Sequence, residues 1–140
     1  MEEAPPGWPL LLAGPMVRRV GEDSASVFVA CRDPVRVGLS IWDGTGPGRA
    51  AVDRTSAHTL PLGQFLHVAL VTVQPSRRMD PGRCYGYDLD FSGHGNLGSL
   101  GLLGALAYEP DHLPSFAVPP ARLADVRITH GSCRKPQGGR

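Results

Sequence analysis

Residues 35–42 set Val35, Val37, Leu39 and Ile41 on one side and Arg36, Gly38, Ser40 and Trp42 on the other. That period of two predicts a strand with one buried face. Similar runs predict strands over 14–20, 24–31, 64–73 and 83–91; in the last, Tyr85, Tyr87, Leu89 and Phe91 share a face. Residues 43–48, Asp-Gly-Thr-Gly-Pro-Gly, form a turn. Residues 97–108 carry apolar side chains at roughly helical spacing, but Gly98, Gly101 and Gly104 each weaken a helix by about 1 kcal/mol. A long connection with one short helix is expected there. A closing strand over 113–118 ends at Pro119-Pro120. Residues 1–13 are a proline-containing leader, 121–125 a linker, and Val126, Ile128 and His130 alternate with Arg127 and Thr129 as a short final strand. Short strands divided by Gly/Pro turns predict an all-β antiparallel sandwich over 14–120.

Composition narrows the class. A chain of 140 residues is one domain of ordinary size, burying roughly two thirds of the surface its unfolded form exposes. The 18 glycines and 14 prolines lie between apolar alternating runs, so they signal turns rather than disorder. A net charge of +1 gives no push toward nucleic acid or an acidic membrane. The start of the chain is acidic and proline-broken, without the basic and apolar regions of a signal peptide, and cytoplasm is the expected location. Cys31, Cys84 and Cys133 form no CxxC pair, which argues against a structural zinc site or a disulfide scaffold.

Met79-Asp-Pro-Gly-Arg-Cys-Tyr85 places an apolar residue, a Pro-Gly turn and a tyrosine where the chain enters a strand. It resembles the Leu-x-Pro-x-x-x-Tyr pattern of fibronectin type III domains, with Met79 in the leucine place. That implies a tyrosine corner, in which the phenol bonds to upstream backbone. If Tyr85 faces the core, alternation turns Cys84 outward. A bond across the core to Cys31 is then disfavoured, and both are expected as free thiols. His58, His67, His94 and His112 are scattered without metal-ligand spacing, and none is given a role. Gly93-His-Gly-Asn96 lacks the lysine and helix of a phosphate loop and is a turn. Arg18-Arg19 and Arg77-Arg78 are solvated charges.

Cys133 is the one residue with a chemical candidacy. It follows the strand 126–130 through Gly131-Ser132, where ligands gather outside strand ends in α/β sheets. Arg134 and Lys135 favour its thiolate. The seven residues after it hold no Asp, Glu, His or Tyr, so the sequence is expected to stop where an active site would begin.

The string His130-Gly-Ser-Cys-Arg-Lys-Pro136 resembles the entry strand of the PhoD-like metallophosphatases, the alkaline phosphatase D group. Upstream, Gly14-Pro-Met-Val-Arg-Arg-Val20 resembles the opening strand of their amino-terminal sandwich. His67-Val-Ala-Leu-Val71, Pro81-Gly-Arg-Cys-Tyr-Gly-Tyr-Asp88, Leu100-Gly-Leu-Leu103 and Leu113-Pro-Ser-Phe116 resemble its later parts in order. The resemblance implies an immunoglobulin/fibronectin type III-like sandwich followed by a calcineurin-like phosphoesterase domain that hydrolyses phosphate esters. In the well-known secreted members of that family a cysteine of the matching Ser-Cys segment binds iron, and calcium completes the centre; Cys133 is the matching position. The remaining ligands come from later motifs that are not in this sequence. Residues 121–140 would then be a linker and the first, dangling strand of a truncated metallophosphoesterase domain. No cofactor is expected to function in this chain, and a phosphate-ester substrate is a partner only where the catalytic domain is present. One alternative is a free-standing β-sandwich that binds a protein or sugar, with Trp42 beside the 43–48 loop as its visible candidate. A thiol sensor built on Cys133 is another.

Overall fold

Alternating side chains of the amino-terminal strands resolve into two antiparallel sheets that share their apolar faces. The computed structural model describes residues 6–131. One sheet joins β1 (Leu11–Val20), β2 (Ala25–Cys31), β6 (Leu66–Val73) and β5 (Leu60–Gly63) in that order. The other joins β4 (Ala50–His58), β3 (Arg36–Asp43) and β7 (Cys84–Phe91), with β8 (Gly95–Asn96) and β9 (Ser115–Ala117) on the far side of β7. A four-residue helix, α1 (Leu103–Leu106), and a short 3-10 turn at Leu123–Asp125 are the helical elements among the described residues. The fold is all-β.

The core follows the pattern read from the sequence. Val27 and Val29 of β2 and Val71 and Val73 of β6 face Val37, Leu39 and Ile41 of β3 and Leu89 and Phe91 of β7, all buried. Packing these apolar side chains between two sheets supplies the main stabilising term, about 1.5–3 kcal/mol for each large side chain taken fully out of water. Leu97, Phe116 and Val118 close one flank, so the connection over 97–108 contributes a core residue and its expected short helix.

Three features depart from the sequence reading. β1 begins at Leu11, inside the expected leader, because Leu10 is buried and its carbonyl accepts the Arg32 N–H at 2.8 Å. β4 and β5 were not anticipated. β4 contributes no fully buried apolar side chain, and β5 is an edge strand containing Pro61, so neither shows a core-facing run. Residues 126–130, expected as a strand, join no sheet and are exposed throughout. The Val126 N–H donates to the Leu123 carbonyl at 3.1 Å as the 3-10 turn closes, and no sheet edge takes up the alternation of Val126, Ile128 and His130.

Candidate functional site

Tyr85 enters β7 buried, and its Oη accepts the Asp80 N–H at 2.8 Å, the upstream backbone bond expected of it. Met79 is buried beside this corner, and its own N–H donates to the Glu22 carbonyl at 2.7 Å, tying the 74–83 loop to the β1–β2 turn. Rings of Tyr85 and Tyr87 stack against Phe116 of β9 at 6.1 and 6.4 Å between centroids. The corner therefore fixes the loop, the strand and the flank together.

Beside it opens a cleft of about 330 Å³ lined by Asp43, Val52, Arg77, Arg78, Asp80 and Arg83, among others. Arg83 donates to both Asp43 carboxylate oxygens, at 2.7 and 2.9 Å, a two-pronged pairing that joins the start of β7 to the end of β3. Arg78 pairs with Glu22 at 3.0 Å. Arg77 makes no ion pair among the described residues. Arg83 also lies 3.8 Å from Asp80, so the three guanidinium groups here stand against three carboxylates, those of Asp43, Asp80 and Glu22. The one hydroxyl among its described lining residues, Tyr85 Oη, accepts the Asp80 N–H. The chain leaves the sandwich at this same end: Val118 donates to the Arg83 carbonyl at 3.0 Å and accepts from the Gly82 N–H at 2.9 Å.

A second polar cluster sits on the neighbouring loop. Thr45 Oγ1 and His112 Nδ1 are 2.9 Å apart, and His112 Nε2 lies 3.4 Å from Glu109. Leu113 also donates its N–H to the Thr45 carbonyl at 3.1 Å. The hydroxyl–imidazole–carboxylate chain has the order of a nucleophile relay, but these bonds clamp the 43–48 turn to residues 109–113, and that is its evident work. On the outer side of β3 and β7, Arg49 covers Trp42 at 5.2 Å from the ring, so the half-buried indole is not a bare platform for a sugar.

Cys84 is exposed, as the alternation from Tyr85 predicts, Cys31 is buried, and both are free thiols. Burial, with Asp33 nearby adding to it, pushes the Cys31 thiol up to about 11, which leaves it unreactive at neutral pH. Cys133, the expected metal ligand, lies outside the described residues. Among the described residues no three His, Cys, Asp or Glu side chains stand close enough to share an ion. No helix among them is long and apolar enough to cross a membrane. The sequence reading gave no role to Arg83, Asp43 or His112, because Arg83 and Asp43 meet only through strand register and His112 reaches Thr45 only through the path of a later loop.

Residues 9–97, from just before β1 through β8, match the family model described as Domain of unknown function (DUF7800). The chain belongs to that family. The match takes in both sheets except β9 and stops short of α1 and the exit segment. Comparison with curated proteins and with solved structures finds no match.

Proposed function

We propose that this chain is the amino-terminal β-sandwich of a PhoD-like metallophosphatase, a scaffold module whose phosphate-ester hydrolysis resides in a calcineurin-like domain outside this sequence. The observation that carries the reading is the Tyr85 corner, with its hydroxyl 2.8 Å from the Asp80 N–H. It stands where the ordered resemblance puts a fibronectin-like crossover between sheets. Strand order gives further support. β1-β2-β6-β5 against β4-β3-β7-β9 follows the A-B-E-D and C′-C-F-G arrangement of immunoglobulin-type sandwiches. In this reading the Arg83–Asp43 end, where Val118 leaves the core, points toward the phosphatase domain. Cys133 would supply one metal ligand there and could not hold a hydrolytic metal alone, since such a site needs several ligands and an open position.

The coding sequence beyond codon 140, read in every frame, is expected to encode the remaining metal-ligand motifs that the resemblance implies. Their absence from all frames overturns the proposal. As a biochemical complement, the 140-residue protein is expected not to turn over a generic phosphodiester with added iron and calcium. Turnover above that of a Cys133→Ala variant would place an active centre within this chain and reject the scaffold role.

A further inference from the structure

We infer that the outer face of the β1-β2-β6-β5 sheet is a self-association surface, on which a second copy of this chain docks face to face. The two outer faces of the sandwich differ in kind. On the β4-β3-β7 sheet the outward rows read Arg54, Ser40, Asp88 and then Ser56, Gly38, Asp90, as a solvated face should. On the other sheet, Met16, Phe28 and Leu70 lie side by side in one register row, and Ala30, Val68 and Leu60 in the next. Met16, Leu70 and Leu60 are 43%, 56% and 67% exposed, and Leu66 continues the patch along β6. A contiguous apolar patch of this sort on one sheet, beside an ordinary polar face on the other, marks a contact surface.

Extent, charge and edge chemistry fit a second copy to it. Strands about 4.8 Å apart, rising about 3.3 Å per residue, give β1, β2, β6 and the shorter β5 a plan of roughly 400 Å². The corrugated accessible surface of such a face approaches the roughly 800 Å² per partner of a standard interface. Its apolar rows are bounded at one end by Arg19, beside Ser26 and Thr72, whose hydroxyls bond each other at 2.8 Å. A two-fold axis across the strands lays that row over the Leu66 end of the mate, so apolar rows meet apolar rows and the two Arg19 side chains stay apart. A net charge of +1 per copy adds little repulsion. Pro61 interrupts the donor row of the β5 edge, which favours docking through the face over strand addition at that edge.

Sedimentation equilibrium on the 140-residue protein, over a dilution series up to about 1 mM, tests this. A reversible dimer is expected. Leu70→Arg should raise its dissociation constant at least about a hundredfold, because the symmetry axis brings two arginines into the contact. Ser56→Arg, on the polar sheet, should leave it unchanged. Leu60→Arg, on the edge strand and away from the core, repeats the test should Leu70→Arg fail to fold. A protein monomeric throughout the series overturns the proposal, as does a dimer that neither leucine substitution weakens.

Discussion

Tyr85 does two jobs with one side chain: its ring packs against Phe116 while its hydroxyl takes the Asp80 N–H. Tyr85→Phe keeps the ring and deletes the acceptor, so unfolding in urea at one fixed protein concentration should show a loss of about 1 kcal/mol. An undiminished midpoint would mean the corner is held by packing alone. Asp88 poses the opposite case. Burial raises its pKa, and the Leu97 N–H, at 3.4 Å from Oδ1, only partly offsets that. A carboxyl raised in the folded state binds its proton more tightly when folded. Stability therefore falls as pH climbs from the ordinary carboxylate value of about 3.9 through the raised one. Asp88→Asn keeps an acceptor for Leu97 and removes the charge. The expected gain at pH 7 is on the order of 0.5 kcal/mol after solvent screening, fading below pH 4 or so. Thermal melts of both proteins across that range would reveal it, and equal pH profiles would count against a buried charge at this position.

Among elements, β7 is the most constrained, because it pairs with β3 on one side and with β8 and β9 on the other. Gly86 sits where the 43–48 turn crosses it. A Cβ there would stand 2.7 Å from the Gly44 carbonyl oxygen and 3.3 Å from Thr45 Cα, both backbone atoms that cannot swing aside. Gly86→Ala should cost about 2 kcal/mol, read from the same urea transitions, whereas Gly48→Ala, with open space around it, carries only the strain of its own backbone angle. What could be read from the sequence at this scale follows burial. β2, β3, β6 and β7 each bury one apolar face, and their period of two is visible. β4 runs Asp53-Arg-Thr-Ser56 through its middle and β5 is half proline and glycine, so both are held by β3 and β6 rather than by a pattern of their own. The segment 126–130 errs the other way, with a strand pattern and no sheet to join.

At the scale of the molecule, contacts within a turn or an alternating run were legible, and contacts across the fold were not. Tyr85 and its partner are five residues apart, and the pairing was foreseen. Arg83 and Asp43 are forty apart and Thr45 and His112 sixty-seven; only the register of β3 against β7 and the path of the later loop bring them together. The same register fixes where the chain enters and leaves. Leu10 lies level with Arg32 at one end of the sheets, and Val118 lies level with Arg83 at the other. Anything joined ahead of β1 and anything joined after β9 is therefore held apart by a strand's length, about 20 Å. A pull on the two would run along the strands and load their hydrogen bonds in shear, all at once rather than one by one. Loaded that way, the two sheets would resist together, as a stiff strut does.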